Sequence, residues 1–245
     1  MKSVYFKQGS GPAFVYVPGI EGTGRMFHKQ AEDLQSDHTV IALKLRAEGR
    51  YSILDLIEDM VLAVRDAGFE KATVLGESFG GLLTMAAALA HPELIERIIL
   101  VNTFARFHDR KKINVGVALY SILPYSWIRA YRGRTAGENL FDRGAPEEVK
   151  LAYRERTREA ATSGYLSRLR IVRDTDLRKR LCEIKQPALV VAGLEDNFLP
   201  SADSAKAIAQ KLPRARLKLL EGVGHAAMLS PRVRVRDWLA EFENI

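Results

Sequence analysis

Cysteine is nearly missing from this chain: Cys182 is the only one in 245 residues. An intrachain disulfide is thereby excluded, and so is a metal site built on several thiolates. A reduced, cytoplasmic setting is the expectation that follows. Long apolar runs are missing too. The most apolar stretch, "LLTMAAALA", is far short of the roughly 20 residues that a bilayer span needs. The opening "MKSVYFKQGSGP" has polar residues and glycine where a secretory leader would carry a continuous apolar segment. No internal repeat or low-complexity tract stands out. What remains is an ordinary globular composition, 47% hydrophobic and 27% charged, with apolar material for one sizeable core.

Acidic residues are scarce in one region. The net charge is +7, yet residues 107–180 hold 17 Lys and Arg against 9 Asp and Glu. That excess leaves the rest of the chain close to neutral. A basic chain raises the question of nucleic acid, but no recognised binding motif accompanies the charge, and no such partner is expected.

Short runs rich in Val, Ile, Leu and aromatics alternate with longer segments of helical period. This is the pattern of an α/β fold with a mostly parallel sheet covered by helices. Seven strands are expected, at "SVYFKQ", "AFVYVPG", "TVIALKL", "KATVLGES", "RIILVNTF", "ALVVAGLED" and "ARLKLLEG". Between the third and fourth, Ile53, Leu56, Ile57, Met60, Val61 and Val64 form one helical stripe that Gly68 ends. "FGGLLTMAAALAHPELI" reads as a buried central helix. "SADSAKAIAQKL" starts at a candidate N-cap, Ser201, and "SPRVRVRDWLAEF" reads as a closing helix. Residues 107–180 break the rhythm and read as a helical cap or lid inserted in a core made of 1–106 and 181–245.

"TVLGESFGG" sets Ser78 between Gly76 and Gly80, at the end of a strand and the start of a helix. A serine hydroxyl barely ionises at neutral pH, so it needs a base within hydrogen-bond reach and an exposed position. A sharp strand-turn-helix gives that position, and small flanking residues relieve the crowding it creates. The helix start also turns backbone N–H groups toward the serine. "GLEDNFLP" puts Asp196 just beyond another strand, and "GVGH" puts His225 in a glycine-flanked loop after the last one. The edge where parallel strands end is where such folds build ligand sites. Taken singly, Asp196 could cap a turn and His225 could be a bonded loop residue; together they supply an orienting acid and a base. "GIEGTG" lacks the Lys-Ser/Thr ending of a phosphate-binding loop.

With Ser78, Asp196 and His225 in that chain order, the sequence resembles the α/β-hydrolase fold superfamily nearly end to end. It looks most like small bacterial single-domain hydrolases and thioesterase-like members. The resemblance implies a catalytic triad of Ser78, Asp196 and His225. It also implies an oxyanion hole from the backbone N–H groups of Ile20 and Phe79, with Pro18 where the family commonly has histidine. Hydrolysis of a carboxylic ester or thioester through an acyl-enzyme is the expected activity, and it requires no metal or organic cofactor. A lyase or carbon–carbon bond hydrolase could use the same triad, and a non-catalytic binding protein could retain the pocket. The expected partner is a small acyl substrate. Tyr120, Tyr125, Trp127 and Tyr131 either line an acyl pocket or pack the insert on the core. The insert's arginines either attract an anionic group or form a solvated face.

Overall fold

The apolar runs assemble into one sheet in the computed structural model, which describes residues 5–135, 139–142, 144–157, 160 and 162–244. Its strands are β1 (Tyr5–Gln8), β2 (Ala13–Val17), β3 (Thr39–Leu43), β4 (Ala72–Glu77), β5 (Ile95–Val101), β6 (Ala188–Gly193) and β7 (Ala215–Leu220). Their spatial order is β1-β3-β2-β4-β5-β6-β7. Only β1 runs antiparallel to its neighbour; every other pairing is parallel. All seven expected strands are present, although Ser3 and Val4, at the start of the first, lie outside the described residues. β2, β3 and β6 are buried at every position, as strands covered on both faces must be.

Helices cover the two faces. α1 (His28–Leu34) joins β2 to β3, and α2 (Ile53–Asp66) carries the chain back across to β4. The order in which strands are added to the sheet therefore switches sides between the parallel neighbours β2 and β4, and the crevice beyond their carboxyl ends is where open α/β sheets bind ligands. α2 starts at a capping box in which Ser52 and Asp55 satisfy each other's backbone N–H, worth about 1 kcal/mol. It buries Leu56, Ile57, Met60, Val61 and Val64, each contributing about 1.5–3 kcal/mol. α3 (Phe79–Ala90) follows β4 and is buried from Phe79 to Ala88.

Among the described residues, four α-helices lie between β5 and β6: α4 (Arg110–Ile122), α5 (Tyr125–Thr135), α6 (Glu147–Thr157) and α7 (Ser163–Asp174). Ile113 and Val117 of α4 and Leu166, Leu169, Ile171 and Val172 of α7 join the same apolar cluster as α2 and α3. α8 (Ser201–Ala209) and α9 (Val235–Leu239) complete the fold. On the opposite sheet face, Phe27 stacks on Phe14 and Tyr16, and Trp238 is buried in the same cluster. No helix among the described residues is long and apolar enough to cross a membrane.

Two helix starts differ from expectation. Ser201 is the first residue of α8 rather than its cap, and its hydroxyl turns instead to Asp196. The closing helix begins at Val235, not Ser230. There the Ser230 hydroxyl accepts from Arg232 N–H in a turn.

Candidate active site

The parallel register brings several strand ends to one edge of the sheet. Val17 lies opposite Gly76, Glu77 opposite Val101, and Val101 opposite Val191. The segments that leave this edge carry Ile20, Ser78, Asn102, Asp196 and His225.

Ser78 sits at the tip of the β4–α3 turn with φ 56° and ψ −118°. That conformation is costly for a residue with a side chain, so the surroundings must enforce it. Close backbone approach on both sides does so. A Cβ on Gly76 would lie 2.4 Å from the Gly80 carbonyl oxygen, and one on Gly80 would lie 2.1 Å from that of Val17. The serine is pinned by its N–H, which donates to Val101 O at 2.8 Å, and by its carbonyl, which accepts from the Thr103 hydroxyl at 2.6 Å.

His225 Nε2 lies 3.0 Å from Ser78 Oγ, and Nδ1 lies 2.7 Å from Asp196 Oδ2. The side chains of His225 and Asp196 are 8% and 1% exposed, so the pair is shielded from water. Since a carboxylate only accepts, Nδ1 carries the proton and Nε2 is left to accept from the serine hydroxyl. Asp196 Oδ1 accepts from Phe198 N–H and Leu199 N–H, each at 2.9 Å, while Oδ2 also accepts from Ser201 Oγ. Burial pushes the Asp196 pKa up, but the hydrogen bond and charge of His225, with help from Ser201 and Leu199, hold it below the ordinary carboxylate value. Glu195, the adjacent carboxylate, is not the one on the histidine.

Ile20 follows Gly19 in the loop after β2 and lines the same cavity as Ser78. Phe79 is the first residue of α3. The cavity has a volume of about 290 Å³, and Met26, Tyr120, Tyr153, Tyr165, Phe198 and Leu229 give it a largely apolar wall. Of the four insert aromatics singled out in the sequence, only Tyr120 lines it, stacked on Tyr165. Trp127 and Tyr131 are exposed instead. The lining's carboxyl groups among the described residues are Glu21 and Glu77, with His225 beside them; no Lys or Arg is among them.

Besides Glu21, four polar residues at this site were not assigned to it from the sequence. Glu77 is buried beside Ser78, accepting from Tyr16 OH at 2.9 Å and Met228 N–H at 3.2 Å. Burial, and then the charge of Glu21, raise its pKa to about 7. The Asn102 side chain donates to the carbonyls of Gly224 and His225 and accepts from Gly193 N–H. Arg168 of α7, 1% exposed, donates to the carbonyls of Ile20, Glu21 and Arg46 and to Tyr51 OH. Ser201 is the fourth. A polar residue directly after an apolar strand was a usable signal for Asn102. Nothing distinguished Arg168 from the other arginines of the insert.

A serine held on a strand-turn-helix elbow, facing a histidine backed by an aspartate, defines one class of α/β protein. The chain matches the family model described as alpha/beta hydrolase fold over residues 12–231 and belongs to that family. A protein of Pseudomonas savastanoi pv. phaseolicola named "Putative carbamate hydrolase RutD" is 26% identical, the match covering 97% of this chain and 96% of that one. Two solved structures share the fold. A thermophilic esterase from Thermogutta terrifontis has a TM-score of 0.85 at 20% identity, over 97% of this chain and 93% of that one. The enol-lactonase from Burkholderia xenovorans LB400 has a TM-score of 0.82 at 22% identity, over 98% of this chain and 96% of that one.

Proposed function

We propose that this protein is a serine hydrolase that cleaves small acyl substrates through a covalent acyl-enzyme. The observation that carries the reading is the unbroken hydrogen-bonded chain from Ser78 Oγ through His225 to Asp196, opening on a cavity of about 290 Å³. Ser78 Oγ bonds to the substrate carbonyl carbon as its proton passes to His225 Nε2. Asp196 stabilises the resulting imidazolium and keeps its own charge. The carbonyl oxygen takes up the negative charge against the backbone N–H groups of Ile20 and Phe79. Collapse breaks the bond to the alcohol, thiol or amine, which leaves with the proton from Nε2. Water then repeats the two steps, freeing the acid and restoring Ser78. In this reading residues 107–180 are a cap whose Tyr120, Tyr153 and Tyr165 face the acyl group.

The largely apolar wall, with Glu21 and Glu77 in place of cations, favours an uncharged acyl group over an anionic one. Esters and thioesters fit this description. Carbamates are a second reading, favoured by the name of the Pseudomonas relative and by the two carboxyl groups, which could accept from a carbamate N–H. A panel of p-nitrophenyl esters, acyl thioesters, simple carbamates and a 1,3-diketone separates these readings. Turnover of esters, thioesters or carbamates, lost in Ser78→Ala, supports the proposal. Turnover of the diketone alone points to carbon–carbon bond cleavage, and turnover of none to a binding protein.

A further inference from the structure

We propose that the outward face of α4 and α5 is a docking surface for an anionic lipid bilayer. Two independent observations meet there. The first is sequence chemistry: from Arg110 to Thr135 there are six basic residues and no Asp or Glu. Arg110 is held by the Arg173 carbonyl and Lys112 lies over the Phe198 ring, while the other four carry the charge of the two helices. The second is exposure. α4 turns Ile113 and Val117 into the core, with Tyr120 on the catalytic cavity, yet it leaves Val115, Leu119 and Ile122 in solvent at steps of four and three. α5 buries Ile128 but exposes Trp127 and Tyr131, one turn apart.

Ile122, Tyr131 and Trp127 are 75%, 69% and 68% exposed, more than any other large apolar side chain among the described residues. Scattered exposed leucines, such as Leu54 and Leu62 of α2, are normal on a protein surface. A group of five within 17 residues that hold Arg129 and no acidic residue, flanked by basic residues on both sides, is a different feature.

The combination selects the occupant. Aliphatic side chains and Trp on helices that carry Lys and Arg and no Asp or Glu form the signature of a segment lying in the headgroup region of a bilayer. Anionic headgroups supply the negative charge that this segment lacks, at a range set by the Debye length. A second copy of the chain would bring the same uniform positive charge against itself. An acidic protein or a nucleic acid would engage the basic residues and leave Ile122 and Trp127 without a purpose. Tyr120, on the inner side of α4, lines the cavity, so docking would place α4 between the lipid and the cavity.

Co-sedimentation of the full chain with vesicles tests this. Phosphatidylcholine vesicles are compared with ones containing about 30% phosphatidylglycerol, at low salt and at about 0.5 M NaCl. The proposal expects at least fivefold stronger partitioning to the anionic vesicles, weakened by salt. It expects a further loss of about tenfold in the Ile122→Ser/Trp127→Ser variant. Bilayer contact should shift the tryptophan emission to the blue in wild type and not in Trp127→Phe, since the other tryptophan, Trp238, is 3% exposed. A melting curve and hydrolysis of a soluble short ester confirm that the double variant is folded. The proposal is overturned by equal partitioning to neutral and anionic vesicles, by no partitioning to either, by a double variant that partitions like wild type, or by an emission maximum that vesicles leave unchanged, and equally by either of two results that assign the face elsewhere. A dimer in solution that the double variant dissociates would assign the face to a second copy instead. Full displacement from vesicles by polyglutamate, with the double variant equally affected, would assign it to an acidic polypeptide.

Discussion

The side-chain amide of Asn102 donates to the backbone carbonyl of His225 at 2.9 Å. Asn102 is fully buried, has φ 46°, and also holds Gly224 O and Gly193 N–H. It thus ties the end of β5 to the histidine loop and to the start of the segment that carries Asp196. In Asn102→Asp, oxygen replaces the donor and faces two carbonyls. We expect a stability loss of about 2–4 kcal/mol and a kcat reduced by at least about tenfold with little change in KM. Denaturant melts and steady-state kinetics check this.

Asp196→Asn tests the orienting role with the geometry nearly preserved. Because Oδ1 accepts from two backbone N–H groups, the new amide nitrogen must take the Oδ2 position, facing Nδ1. It would donate there, drive the imidazole proton to Nε2, and leave Ser78 without a base. A kcat loss of about 10⁴ is expected, as in a serine protease carrying the same change. The wild-type carboxylate has its pKa lowered by the fold. Its contribution to stability is therefore complete above the unfolded value and lost as pH falls through the lowered one. Acid melts of Asp196→Asn should lack that component.

Glu77 has the opposite sign. Its pKa is raised from 4.5 to about 7, so the folded state binds the extra proton between those values and stability falls as pH rises through that window. Glu77→Gln keeps an acceptor for Met228 N–H and removes the charge. It should stabilise the protein at pH 8 by up to about 3 kcal/mol, with the gain shrinking toward pH 5. Thermal melts across that range measure it.

Arg168 ties the insert to the loop that carries Ile20. Arg168→Met leaves several buried carbonyl oxygens without their donor, at a cost of about 1–3 kcal/mol for each left unsatisfied. A drop in melting temperature together with a reduced kcat is expected, and Arg168→Lys should restore only part of either. A loss of stability at unchanged kcat would separate this anchor from the geometry of the site.

Much of this arrangement was readable from the chain. The inner strands were legible because apolar runs such as β2, β3 and β6 have no other way to bury both faces, while the exposed edge strands β1 and β7 were marked by their Val, Leu and aromatic content. The convergence of Ser78, Asp196 and His225 was legible because each side chain follows a strand end, and parallel strands end at one edge. Other features depend on packing that spacing does not encode. Ser201 looks like a cap by type, yet the buried Asp196 carboxylate draws its hydroxyl away. Trp127 looks like core by type, yet Ile128 takes the inward position on α5. Arg168 belongs by charge to a solvated face, and only the backbone carbonyls around it make burial possible.

The central claim is that the Ser78 hydroxyl is the nucleophile, activated by His225. Intact-mass measurement after exposure to a fluorophosphonate tests it most directly. The account predicts a single adduct, mapped to Ser78 and absent from Ser78→Ala, with labelling slowed in His225→Ala. An adduct on another residue, or a Ser78→Ala protein labelled as fast as wild type, would contradict it.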